Sequence, residues 1–220
     1  MTSVELRTVL TGEVRPLSAE DARLSGIDKH PVTGKVEVHR LGLRGDHQAD
    51  LEAHGGVDKA IHHYAFDHYP AWRDELPEAA ERLARVGAFG ENFSTLGWTE
   101  HDVCLGDVVS VGSAKLQVSH GRQPCWKLNV RFALPDMLPR VTRTGRCGWY
   151  YRVLEPGWVE AGDRLELLER PRPQWTIARL FAVLFGPEFE RADLLALLDV
   201  PELADAWLER THKRLRRSAG

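Results

Sequence analysis

Apolar and polar residues alternate in short runs over the first three quarters of the chain. Lys35-Val36-Glu37-Val38-His39, Asp107-Val108-Val109-Ser110-Val111, Lys115-Leu116-Gln117-Val118-Ser119 and Arg164-Leu165-Glu166-Leu167-Leu168 all show it. Alternation over four to eight residues, bounded by turn formers, marks a half-buried strand. Many such runs broken by glycine predict a closed or nearly closed barrel, which removes exposed sheet edges. Gly162-Asp163 reads as a tight connection into the last strand. Two interior stretches read as helical: Asp58 to Glu75, with Tyr64, Asp67, His68 and Trp72 at three-to-four spacing, and Pro77 to Arg85. After Pro171-Arg172-Pro173 the period changes, because Ile177, Leu180, Phe181 and Leu184 form the stripe of an amphipathic helix that Gly186-Pro187 ends. Ala192 to Leu198 and Glu202 to Leu215 repeat it, with Pro201 placed in a first helical turn. The expectation is a mainly β fold: a barrel over residues 1–170 and a small three-helix appendage over 171–220.

Composition narrows the function without naming it. With 220 residues, 43% hydrophobic and 28% charged, the chain can bury the core of one sizeable domain plus an appendage. A formal charge of -3 gives no general attraction for nucleic acid. The basic run His212-Lys213-Arg214-Leu215-Arg216-Arg217 reads as a solvated helix end whose cations oppose the helix dipole. No apolar run approaches the ~18 residues of a membrane span. Cys104, Cys125 and Cys147 form no C-x-x-C pair, which argues against structural zinc. An odd thiol count, with Glu5 and Arg7 inside Met1 to Leu10, argues against a disulfide-stapled secreted protein, so the expected setting is the cytoplasm.

Candidate chemistry concentrates at Cys125, within Gly121-Arg122-Gln123-Pro124-Cys125-Trp126-Lys127-Leu128. The thiolate is the metal-ligating and nucleophilic form of cysteine, and Arg122 and Lys127 are the cations placed to favour it. Gln123-Pro124 should hold the thiol on a stiff segment. A buried, inert cysteine is the opposing reading. A second cluster runs through Gly42-Leu43-Arg44-Gly45-Asp46 and His54-Gly55-Gly56-Val57-Asp58-Lys59-Ala60-Ile61-His62-His63-Tyr64. Gly55 and Gly56 feeding a helix, with Lys59 beside them, would suit an anion. His54, His62 and His63 could ligate a metal, with Asp46, Asp50 and Asp58 as carboxylate partners. The H-E-x-x-H spacing that puts two histidines on one helix face is missing, which disfavours a zinc hydrolase. Asn92, in Gly87-Ala88-Phe89-Gly90-Glu91-Asn92-Phe93, could read a heterocycle edge with its amide. Arg143, Arg146 and Arg152, interleaved with Trp149 and Tyr150, could grip phosphate.

Taken in order, these motifs, together with Gly148-Trp149-Tyr150-Tyr151-Arg152-Val153-Leu154, resemble the MOSC domain family, in its YiiM-like branch, from about Val4 through Arg170. The helical tail resembles the small three-helix domain of that branch. One departure is visible: the branch usually has Gln-Pro-Arg where this chain reads His120-Gly121-Arg122.

The resemblance implies a barrel that binds the molybdenum cofactor, a phosphate-bearing pterin dithiolene, with Cys125 as the molybdenum ligand. It places Asp46, His54, Lys59, Asn92, Arg122, Lys127 and Arg152 around that cofactor. The implied activity is reduction of N-hydroxylated compounds such as hydroxylaminopurines, a detoxification. His54 or Asp46 is nominated as proton donor, and no pyridoxal phosphate is expected. Lacking a ferredoxin-like cysteine cluster, the chain needs a separate reductase as electron donor. The alternative is a sulfur-carrier or cofactor-handling module with a Cys125 persulfide. A binding module whose tail docks a partner is a third reading, and the sequence fits a monomer or a homodimer equally.

Overall fold

The computed structural model of the chain describes residues 2–217, apart from the side chains of Ala53 and His54. Seven strands build the barrel: β1 (Ser3–Thr11), β2 (Ile61–Ala65), β3 (Phe93–Thr95), β4 (Val108–Val111), β5 (Ala114–Gly121), β6 (Trp149–Glu155) and β7 (Arg164–Glu169). Around the barrel the order is β7-β4-β5-β6-β2-β3-β1, and β1 pairs with β7 to close it. Neighbours are antiparallel except β2 and β3, which run parallel. Closure removes the unpaired edges that an open sheet would expose.

The alternating segments behave as expected in three cases and differ in one. Val36–His39 is a strand, but it pairs with Gly157–Val159 and Gly42–Leu43 in a small side sheet outside the barrel wall. In β5 the alternation holds through Ala114, Leu116 and Val118, then stops, because Ser119, His120 and Gly121 are all buried. There the strand leaves ordinary core and enters the site.

The helix expected over Asp58 to Glu75 is a correction. Val57–Lys59 forms one 3-10 turn, Ile61–Ala65 is strand β2, and only His68–Glu75 is α-helix, labelled α1. All five residues of β2 are buried, so the strand shows no alternation and its apolar run reads equally as helix. Over Pro77 to Arg85, the observed pieces are a 3-10 turn at Pro77–Ala79 and one helical turn at Ala80–Leu83.

Helices α2 (Lys127–Phe132) and α3 (Met137–Thr144) fill the stretch between β5 and β6. Beyond the barrel follow α4 (Ile177–Phe185), α5 (Arg191–Leu197) and α6 (Asp205–Arg217). In α4, Ile177, Leu180, Phe181 and Leu184 are buried as the stripe requires, and Thr176 caps it by accepting from the Arg179 N–H at 3.2 Å. Pro201 lies in the turn ahead of α6, not in its first turn. Trp207, Thr211 and Leu215 form the buried face of α6. One member of the basic run has a structural use: Arg214 donates to the Leu184 carbonyl at 3.4 Å, beside Arg210, which donates to the same oxygen at 3.1 Å, so the end of α4 is satisfied.

The terminal helices dock directly on the barrel. A Cβ built on Gly121 would stand 2.8 Å from Cη2 of Trp207 and 3.3 Å from Cγ2 of Ile177. Gly121 therefore lets the indole lie on the end of β5. Among the described residues no helix is long and apolar enough to cross a membrane.

Candidate functional site

A break in register between Val118 and His120, where β5 faces β6, marks the end of the regular barrel wall. Such irregularities re-aim side chains beside sites. The freed Ser119 hydroxyl donates to the Asp58 carbonyl at 2.6 Å and lies 3.1 Å from the Tyr150 carbonyl. Gly148, at φ +73°, brings the start of β6 so close that a Cβ there would meet the His63 carbonyl oxygen at 2.3 Å. Its own carbonyl accepts from the Arg122 N–H at 2.9 Å. From Arg122 the chain turns through Gln123-Pro124-Cys125 directly into α2.

Cys125 is half-buried and lines a small cavity of roughly 80 Å³ that opens to solvent. The other two thiols differ in kind. Burial pushes the Cys104 thiol up to about 11, and burial with the nearby Glu100 charge pushes Cys147 far above its ordinary value. Both therefore stay protonated and inert, and Cys125 is the thiol that a ligand can reach.

The cavity wall carries cations. Arg122 and Lys127 are 6% and 9% exposed, and among the described residues neither pairs with a carboxylate. Lys59 lines the same wall; burial pulls its pKa down, while Asp58 and Asp50 oppose that. Lys29, which the sequence reading missed, lines the wall too and is paired with Asp46. A buried cation without an anion costs several kcal/mol, so Arg122 and Lys127 together call for an anionic occupant.

Several expected residues sit elsewhere, and each has a physical reason. Asp46 does not line the cavity: its carboxylate is sealed, accepts from the Gly12 N–H at 2.9 Å and binds the Lys29 ammonium. It serves as counter-ion, which corrects its nomination as proton donor. Arg152 is drawn away by Asp58 at 2.7 Å, by Gln117 at 3.1 Å and by the Glu202 carbonyl at 3.1 Å, so it ties β6 to the terminal helices. Gly55 and Gly56 precede a single 3-10 turn rather than a long helix, and neither lines the two cavities at Cys125. Arg143 is exposed, and Arg146 pairs with Glu75 at 2.8 Å. The backbone of His54 ends the short helix Leu51–His54, and its side chain lies outside the described residues.

Asn92 does line the cavity, but its amide is engaged by the backbone. Its oxygen accepts from the His62 N–H at 3.0 Å and its nitrogen donates to the Leu10 carbonyl at 3.1 Å, stapling β1 to β2. The adjoining turn is held from inside: Glu91 accepts from the Gly87 N–H at 2.7 Å and the Phe89 N–H at 3.1 Å, while Arg131 donates to the Ala88 carbonyl at 2.8 Å. That places Phe89 in the wall.

His62 and His63 are on a strand, one pointing to each side. His63 is bracketed by Thr95 at 2.8 Å and Tyr151 at 3.2 Å, a satisfied core histidine. His62 lines the cavity, and its Nε2 has no hydrogen-bond partner. Burial, then the Arg122 charge, holds it neutral. Among the described residues no three His, Cys, Asp or Glu side chains converge on a metal position. A metal at Cys125 must arrive carrying other ligands.

The buried imidazoles predict acid sensitivity. Burial lowers His63 to about 3 and His120 to about 4, from an ordinary 6.5. Because the folded values are depressed, the unfolded chain binds more protons between pH 6.5 and those values, and stability falls as pH falls through that window. At pH 5 each should cost about 2 kcal/mol relative to neutral pH. Urea unfolding at pH 7.5 and pH 5.0 checks this, and a His63→Asn variant should remove about 2 kcal/mol of the difference, with His62 and His120 left to supply the rest; equal stability at the two pH values would contradict it.

Comparison with known proteins agrees with this architecture. A MOSC domain matches residues 50–166 and a YiiM-like 3-alpha helix domain matches residues 175–217. Protein YiiM of Escherichia coli K12 is 39% identical over 94% of this chain and 90% of its own length. A protein named Reductase from Gibberella moniliformis is 38% identical over 96% of this chain, which spans 37% of that protein. The crystal structure of YiiM from Geobacillus stearothermophilus superposes with a TM-score of 0.78 at 36% identity, covering 96% of this chain and 99% of that one. The chain therefore belongs to the MOSC domain family, in the YiiM-like group that carries a terminal three-helix domain.

Proposed function

We propose that this protein is a molybdenum cofactor-dependent oxidoreductase that reduces N-hydroxylated compounds, with Cys125 as the protein ligand to molybdenum. The observation that carries the reading is the wall of the cavity: an accessible thiol beside two buried cations, Arg122 and Lys127, that no described carboxylate neutralises. A soft sulfur donor suits a sulfur-bound redox metal, and the cations suit a phosphate and a thiolate. Among the described residues no complete protein donor set forms, which fits a metal that brings its own dithiolene. The Gibberella relative, named Reductase, supports an oxidoreductase.

When bound, the cofactor supplies the two-electron chemistry of the reaction. The balanced change is R–NH–OH + 2e⁻ + 2H⁺ → R–NH₂ + H₂O. The protein's part is to bind, orient and supply a proton. Arg122 and Lys127 would meet anionic oxygens, Lys59 would extend that charge toward the rim, and Phe89 would exclude water. Tyr150 lines the cavity, and burial raises its hydroxyl against the opposing Arg122 charge. Tyr150 Oη therefore holds its proton at neutral pH and replaces Asp46 as the proton donor in this reading. Electrons come from a separate reductase in a reducing cytoplasm.

The test is an anaerobic assay of protein purified from a cofactor-competent host, with reduced viologen as donor and 6-hydroxylaminopurine as substrate. One adenine per two electrons is expected, and protein from a pterin-deficient host should be inactive. Equal activity from both preparations would remove the cofactor from the account. Added mass of one sulfur on Cys125 with no turnover would favour the carrier role instead.

A further inference from the structure

A second cavity, roughly 370 Å³, opens between the barrel mouth and α6. It shares Cys125, Tyr150, Lys59 and Lys127 with the first, so the thiol stands where the two meet. Its other walls are Trp126, His120 and, from α6, Trp207, with Asp50, Pro124 and Ala206 between them. Four rings form a row from the first cavity into the second. His62 lies 5.0 Å from Tyr150, Tyr150 lies 5.2 Å from His120, and His120 stacks on Trp207 at 5.4 Å and 24°. The row follows from strand register, since His62 and His120 both pair with Tyr150 from opposite sides.

His120 is 1% exposed, and its Nδ1 lies 2.6 Å from the Gly121 carbonyl oxygen, so Nδ1 carries the proton and donates. Nε2 is then a bare acceptor, and it has no partner. Buried acceptors without donors are uncommon and costly. His120 and its neighbour Gly121 act together. Gly121 admits the Trp207 indole, and the indole covers His120.

We propose that this second cavity is the substrate site, that it takes a planar nitrogen heteroaromatic of purine size, and that His120 Nε2 accepts a hydrogen bond from a donor on its edge. Aromatic walls offer stacking to any such ring. His120 is part of that cavity's wall, and its Nε2 is a buried acceptor there without a donor. The terminal helices thereby become part of the site, with Trp207 as wall and His120 as the specificity-determining residue. The assignment rests on the proposed reductase reading only for its substrate class; binding itself needs no turnover.

Calorimetric titration of the purified full chain with 9-methyladenine and with its N6,N6-dimethyl counterpart tests it. The wild type should prefer the donor-bearing purine. His120→Phe keeps a ring between Tyr150 and Trp207 and should weaken that purine about tenfold, leaving the dimethyl compound unchanged. Ala206 is exposed on α6 at the cavity wall, so Ala206→Trp should fold normally and lose both ligands. Both variants should keep the molybdenum content of the wild type. No purine binding by the wild type, an unchanged preference in His120→Phe, or full binding in Ala206→Trp each overturns the pocket. A wild type without molybdenum overturns the reductase reading alone, since the titration still reads the pocket.

Discussion

Asp46→Asn is expected to lose about 3–5 kcal/mol of folding stability, because it strips the counter-ion from a buried ammonium while leaving the charge in place. The Lys29 side chain is 7% exposed and the Asp46 side chain 0%. Burial already drives the Lys29 pKa down, and the Asp46 charge is what opposes this. At this chain length the loss corresponds to a fall of about 10 °C in melting temperature. The variant also leaves the Gly12 N–H and Gln48 with a neutral partner in place of a carboxylate. A double change, Lys29→Met with Asp46→Leu, removes both charges and should recover much of the stability, as buried pairs replaced by apolar residues often do. Thermal melts of the three proteins decide it. An Asp46→Asn melt within 2 °C of wild type would show that the pair is solvated, contrary to its geometry.

Cys125→Ser is the second large effect, and it should appear in activity with little change in stability. The thiol is half-buried at a junction of cavities and is outside the packed core, so its oxygen counterpart should fold with a nearly unchanged melt. Loss of outer residues around a metal typically costs 10–100-fold, and loss of the ligand itself should cost at least about 100-fold in hydroxylamine reduction. Cys104→Ser and Cys147→Ser serve as controls of the opposite kind. Both thiols are buried and line neither cavity at Cys125, so these changes should lower stability and leave turnover near the wild-type level. Equal loss of activity in all three variants, or full activity in Cys125→Ser, would break the link between the thiol and turnover.

The chain's pattern made its outline legible where local rules govern. Alternation marked β4, β5 and β7, and the change of period after Pro173 marked the terminal helices, with α4 starting where expected. Alternation could not mark β2, because all five of its residues are buried and nothing distinguishes strand from helix in such a run. The same blindness misplaced His62 and His63 on a helix. Within the site, Cys125, Arg122 and Lys127 were legible because one short segment holds them together. Lys29 was not, since Asp28-Lys29-His30 reads as surface and its pairing with Asp46 spans a fold that no spacing rule predicts. Arg152 failed for the complementary reason: it has the right chemistry, but Asp58 and the Glu202 carbonyl reach it first. His120 was visible only as a departure, and its meaning required Trp207, 87 positions later, to be seen lying on Gly121.

The central claim is that the Cys125 sulfur binds molybdenum inside a cationic barrel mouth. Molybdenum K-edge absorption on protein from a cofactor-competent host, wild type beside Cys125→Ser, reads it directly. The account predicts molybdenum with bound pterin in the wild type, and in the variant either loss of the metal or one fewer sulfur in its coordination shell. An identical sulfur count at full occupancy in both proteins would contradict it.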